Sequence, residues 1–303
     1  MPHIFPIGGG KGGSGKSFIT ANLGALFARQ GRKVVLVDLD LGGSNLHTLV
    51  GLKNPGTGLH EFINRKISDL AQAAVPTRIP NLFVITSMDC SMEIANLFHT
   101  QKQKIIRAVQ KLPYEYILLD LGAGTNFNTL DFFLISNEGV FVVTPEPTSI
   151  ENTFRFIKAT YLRKIKQILG QAHFRDVTRE VLDFSGEKYF RSPSDVIDMV
   201  LNHDRDKGER LREELGAFSL KFIINQCRKC TDTGLGDKIQ KVCNKHFYST
   251  FQFLENVGYD ERVHDAVSAR RVFIDTYSHT PTAVSLKNIS EKITSNGNAA
   301  LFD

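Results

Sequence analysis

Gly8-Gly9-Gly10-Lys11-Gly12-Gly13-Ser14-Gly15-Lys16-Ser17 stands between the apolar run of residues 4–7 and a helix-compatible segment over residues 17–30. From Gly10 to Ser17 it reads G-x-x-x-x-G-K-[ST]. Glycines let such a loop curl until successive backbone N–H groups face one hollow. The helix that follows adds the positive end of its dipole. The combination holds phosphate. Gly10, Lys11, Gly12, Gly13, Ser14, Gly15, Lys16, Ser17 and Phe18 are therefore the candidate binding residues. Lys16 is placed to reach the β- and γ-phosphates of a nucleotide, and the Ser17 hydroxyl to ligate Mg²⁺.

Beyond this loop, short apolar runs alternate with helix-period segments. The runs are residues 4–7, 33–37, 82–85, 116–119, 139–143 and 220–224. They are apolar throughout rather than alternating, the pattern of parallel strands buried on both faces. Helix candidates at 17–30, 102–111 and 151–169 lie between them, and Gly31 is a C′ candidate for the first. The chain thus reads as a doubly wound α/β fold, a mostly parallel sheet flanked by helices. Residues 1–303 are expected to form a single unit. Residues 170–216 show no strand run and are expected to be a helical insertion, with helices near 193–202 and 208–215. Pro6 lacks an N–H, so the first strand is expected to be bulged or short.

The 303 residues carry a formal net charge of +5, with 42% hydrophobic and 23% charged side chains. That balance supports a sizeable core and excludes a disordered chain. It permits an anionic partner without requiring one. The first residues show no basic stretch leading into an apolar run, and no stretch reaches membrane-spanning length. A soluble, cytoplasmic chain is expected, with its four cysteines reduced.

The second lysine of the loop, Lys11, is not needed by an ordinary phosphate loop. The sequence here resembles the MinD/ParA family, whose deviant loop reads G-K-G-G-x-G-K-[ST]. The resemblance implies an ATPase that dimerises on ATP, with Lys11 crossing the dimer interface to the partner's phosphates. Asp38-Leu39-Asp40, after the second strand run, resembles the family's first switch. That likeness implies Asp40 as the residue that positions the attacking water, with Asp38 supporting the site. Leu118-Leu119-Asp120-Leu121-Gly122-Ala123-Gly124 resembles a Walker B strand entering the second switch. Ser17, Asp40 and Asp120 are accordingly the expected Mg²⁺ set, and Lys11, Lys16 and Asp40 the expected catalytic residues. Asn128 and Asp131 are weaker candidates for supporting this switch.

Thr144-Pro145-Glu146-Pro147-Thr148-Ser149 and residues 257–271 resemble the FlhG/FleN branch, the MinD-like regulators of flagellar number and placement. Asn225, at the end of the 220–224 run, is where the family reads the adenine edge. The absence of an N-K-x-D or T-K-x-D guanine motif there favours ATP. The expected partners are a second copy of the chain and a protein that stimulates slow hydrolysis. Two other readings remain open at this point. Basic faces at Arg155, Lys158, Arg163, Lys164 and Lys166, at Lys102, Lys104, Arg107 and Lys111, and at Arg270 and Arg271 suit nonspecific DNA, as in ParA-like partitioning. Cys227-Arg228-Lys229-Cys230 suits an iron–sulfur carrier, the flanking cations being expected to lower the thiol pKa. A C-terminal membrane helix is not evident. Residues 283–295 read instead as a docking helix.

Overall fold

The computed structural model describes residues 2–88, 97–171, 174 and 193–299, with side chains to residue 295. Its strands are β1 (His3–Gly8), β2 (Val34–Leu39), β3 (Val75–Pro76), β4 (Leu82–Ile85), β5 (Tyr116–Leu121), β6 (Glu138–Val143), β7 (Ser219–Cys227) and β8 (Thr250–Gly258). They form one sheet in the order β3-β4-β2-β5-β1-β6-β7-β8. Every pair is parallel except β3 with β4. The helices are α1 (Lys16–Arg29), α2 (Leu46–Leu49), α3 (Leu59–Ile63), α4 (His99–Val109), α5 (Phe127–Phe133), α6 (Pro147–Leu169), α7 (Pro193–His203), α8 (Arg205–Gly216), α9 (Leu235–His246), α10 (Arg262–Ser268), α11 (Phe273–Thr276) and α12 (Pro281–Ala299).

The apolar runs become central strands because each distributes side chains to two cores. On β2, Val35, Val37 and Leu39 join one cluster with α4, α5 and α6, while Val34 and Leu36 join the other with α1 and α12. β5 divides likewise, Ile117, Leu119 and Leu121 against Tyr116 and Leu118. α1 ends where Gly31 takes φ 84° and the Arg32 N–H reaches the Phe27 carbonyl, a glycine C′ closure. α12 buries Ala283, Leu286, Ile289 and Ile293 in the second cluster. It therefore docks on the body, as its sequence predicts. Among the described residues no helix is long and apolar enough to cross a membrane.

Pro6 corrects one expectation. β1 pairs with β5 without a bulge from His3 to Ile7, with Pro6 opposite Leu119. The His3 N–H points to the β5 side, so by strand alternation Pro6 faces β6. There the ladder begins only at Ile7, and the missing donor is not needed. Of the expected 170–216 insertion, residues 172–173 and 175–192 lie outside the described residues. The rest includes buried Phe174 and the helices α7 and α8, which lie against α6.

A charged clamp joins the helices beside the sheet's end. Asp131 on α5 receives two hydrogen bonds from Arg163 of α6, at 2.7 and 2.9 Å, and an ion pair from Lys102 of α4. Asp131 is 4% exposed. Burial alone would raise its pKa, but the Arg163 and Lys102 contacts outweigh it and hold the carboxyl below its ordinary value. A depressed folded pKa adds stability that is full above the unfolded value and is lost as pH falls through the folded one. Asp131→Ala strands buried Lys102 and is expected to cost about 3–5 kcal/mol. Urea unfolding at pH 7 measures this, and the gap between variant and parent should narrow below about pH 4.

Candidate functional site

The carboxyl ends of β1, β2 and β5 meet at one edge of the sheet. This is where open α/β sheets place ligands. β1 runs straight into the glycine loop and α1. Gly13 and Gly15 take φ 77° and 90°, a left-handed region that glycine enters without strain. Gly10 packs so closely on the Asn152 backbone that a Cβ would overlap it, and a Cβ on Gly9 would lie 2.8 Å from the Val142 carbonyl oxygen. No heavy atom lies within 4 Å of where Gly12 or Gly13 would carry a Cβ. The loop is thus pinned on its inner side and open outward.

The two lysines point to different surroundings. Lys16 is 7% exposed, and its pKa is lowered by burial against the opposing pull of Asp120 and Asp40. Lys11 is 40% exposed and lies 3.6 Å from Glu146, in the turn between β6 and α6. The Thr144 hydroxyl also donates to Glu146 and, with Lys11, holds that carboxyl below its ordinary pKa. Ser14 is buried, and its Oγ has no partner among the described residues. A buried hydroxyl left unpaired costs stability unless a ligand answers it.

Asp38 and Asp120 stand side by side, register partners on β2 and β5. Asp38 accepts from the Asp40 N–H at 3.1 Å, the Leu46 N–H at 3.2 Å and the Ser44 hydroxyl at 2.7 Å. It therefore shapes the loop from Asp40 to α2. Burial pushes its carboxyl up to about 6. Asp120 is pushed up to about 8, first by burial and then by Asp38, despite a hydrogen bond from Ser17 and the charge of Lys16. Asp40 extends beyond them. A Cβ on Gly122 would sit 3.0 Å from its Oδ1, so the loops that follow β2 and β5 touch there. Asp40, Gly122, Ala123 and Asn126 line a cavity of about 230 Å³.

At the other side of the loop, Asn225 Nδ2 donates to the Ser14 carbonyl at 2.9 Å and Gln226 Nε2 to the Gly13 carbonyl at 2.8 Å. Asn225, Gln226 and Phe18 line a cavity of about 260 Å³ with Tyr259, Asp260 and Val263. A slot of this kind beside a phosphate cradle has the mixed apolar and polar lining that suits a base. Phe18 is fixed there edge-on to Phe273, ring centroids 5.6 Å apart.

The cradle fits a nucleotide: an open nest of loop backbone, a buried ammonium and an unanswered hydroxyl. The oxygens of Ser17, Asp40 and Asp120 fit a hard divalent cation, since Asp120, buried beside Asp38 and near half-buried Asp40, gains from one. The family described as the CobQ/CobB/MinD/ParA nucleotide binding domain matches residues 6–272. The chain belongs to this family.

Among MinD/ParA relatives, the septum site-determining protein MinD of Synechocystis is 33% identical over 177 residues, 56% of this chain and 65% of that protein. The antiactivator FleN of Pseudomonas aeruginosa is 22% identical over 301 residues, 97% of this chain and 86% of that protein. The chain spans about half to three fifths of the length of several curated MinD relatives that it matches. In fold it is similar to MinD of Pyrococcus horikoshii, solved with Mg-ADP, at a TM-score of 0.67 and 20% identity, covering 99% and 98% of the two chains.

Sequence reading brought together the loop, Asp40, Asp120 and Asn225. It missed Gln226, which takes φ 61°, and the 259–263 wall of the base slot. The one signal for the wall was the likeness of residues 257–271 to the FlhG/FleN branch. The thiol expectation is corrected. Cys227 is half-buried, and burial pushes its thiol up to about 11. Arg228 stacks over the Tyr259 ring at 4.3 Å instead of serving the thiol. Among the described residues no His, Asp or Glu joins Cys227 and Cys230 in a group that could hold a metal ion. Asp131 is a helix clamp.

Proposed function

We propose that the chain is an ATP-dependent dimerising switch that hydrolyses ATP to ADP and phosphate. One observation carries this reading: a single glycine loop holds one lysine buried over the cradle and a second turned outward to a surface carboxylate. A lysine serving only its own cradle has no reason to face away. Facing out, Lys11 is available to a triphosphate on a second copy of the chain.

In this reading the loop amides and Lys16 bind the phosphates, and Phe18 and Asn225 hold the base. Ser17, Asp40 and Asp120 would hold Mg²⁺, which supplies charge neutralisation at the phosphate oxygens when bound. Asp40 accepts a hydrogen bond from the attacking water and aims it at the γ-phosphorus. Lys11 of the partner subunit meets the negative charge that develops on the transferred group. Gly122 and Gly124 let the second switch close on that group. Residues 1–303 act as one unit, with 170–216 inserted in it. The relatives' name septum site-determining protein supports a role in placing a cellular structure, and the likeness of residues 144–149 and 257–271 to the FlhG/FleN branch supports flagella as that structure, with a protein partner that sets the hydrolysis rate.

On this account the Lys11–Glu146 contact must break before the dimer closes. An exposed pair of this kind is worth up to about 1 kcal/mol. Glu146→Gln should therefore tighten ATP-dependent dimerisation by up to about fivefold, read by sedimentation, with ATP affinity of the single subunit unchanged. Dimerisation weakened by Glu146→Gln would contradict the cis-to-trans exchange of Lys11. Phosphate release that depends on protein concentration tests the wider reading. Turnover per subunit that is independent of concentration would oppose it.

A further inference from the structure

Away from the nucleotide site, Arg78, Arg270 and Arg271 line one hollow of about 260 Å³, with Val50, Ile79 and Val272 as its apolar surface. Asp275 also borders it, but that carboxylate is engaged by Arg29. Among the described residues none of the three arginines makes an ion pair. Three arginines around one concavity make it cationic, and an anion bound there would be attracted by all of them.

The backbone is arranged for this at some cost. Arg270 closes α10: its N–H reaches the Val267 carbonyl, and the Arg271 N–H reaches the Ala266 carbonyl. Arg270 takes φ 52° there. Helices usually fill that position with glycine or asparagine, because a Cβ is strained in it. Opposite, Gly51 takes φ 79°, and a Cβ on it would lie 2.9 Å from the Arg270 carbonyl oxygen. The two turns are therefore fitted to each other, and the strained residue is a cation bordering the hollow. Strain retained at a charged concave position points to ligand contact.

We propose that this hollow is a second anion site, separate from the phosphate loop, and that it takes a compact phosphate-bearing small molecule of about pyrophosphate size. Arginine forks match phosphate oxygens in pairs. The concave shape and apolar lining suit a small ligand, whereas a nucleic-acid backbone is tracked by an open groove. The site adjoins the nucleotide machinery in sequence: Val50 follows α2, whose first N–H is held by Asp38.

The test is calorimetric titration of inorganic pyrophosphate into the full chain without Mg²⁺ or nucleotide. Lys16→Ala, which disables the phosphate loop, should leave one site per chain. Adding Arg78→Gln and Arg271→Gln should weaken that site by about tenfold or more. All these arginines are exposed, so the fold should persist. Arg270→Gly should relieve the turn, raising Tm by about 2 °C, while weakening pyrophosphate binding. No remaining site in Lys16→Ala, or a site indifferent to all three arginines, overturns the proposal. So does arginine-dependent binding of a short DNA duplex with no binding of pyrophosphate, which would assign the surface to nucleic acid.

Discussion

Lys16→Ala is expected to lower ATP affinity by about 10²–10³-fold while leaving the chain folded. Its ammonium is the buried cation of the cradle. Losing one or two charge-assisted hydrogen bonds of about 1.5–3 kcal/mol each gives that range. The fold should survive because burial and the neighbouring Asp38 already raise the Asp120 carboxyl well above its ordinary pKa, so the loss of the nearby cation is eased by protonation. α1 is also held by the core packing of Ile19, Leu23 and Phe27. Calorimetry with a non-hydrolysable ATP analogue measures the loss, and urea unfolding checks the fold. Affinity equal to the parent's would remove the phosphate-loop assignment.

Asp40→Ala should separate binding from chemistry. The turn that carries Asp40 is built from backbone: its N–H donates to Asp38, and its carbonyl accepts from the Gly43 N–H at 3.1 Å. Neither contact uses the Asp40 carboxylate. Alanine should therefore keep the loop in place, with ATP affinity measured without Mg²⁺ within about threefold of the parent. Removing a positioned acid–base group typically costs 10²–10⁴-fold, so phosphate release should fall at least about 100-fold. Parent-like turnover would show that another group orients the water.

Much of this was legible in the sequence for a physical reason. A strand buried on both faces must be apolar throughout, so β2, β5, β6 and β7 announce themselves. β8 does not: it is an edge strand, and only Phe251, Leu254 and Val257 are buried in it, among half-exposed Gln252, Glu255 and Asn256. β3 is two residues long and carries no period at all. Within the site, residues close in sequence were readable because the loop's chemistry is local. The contacts that set its electrostatics were not. Lys11 meets Glu146 across the gap between β1 and β6, and Gln226 reaches the loop through a backbone conformation that no composition signals. The Cys227 misreading has the same origin: flanking charges are visible in sequence, and the burial that outweighs them is not.

A triphosphate gripped by two copies of the chain at once underlies the proposed switch, and sedimentation velocity of Asp40→Ala protein tests that most directly. With ATP and Mg²⁺ the protein should run as a dimer, and with ADP and Mg²⁺ as a monomer. A single species of the same size under both nucleotides, whether monomer or dimer, would contradict it.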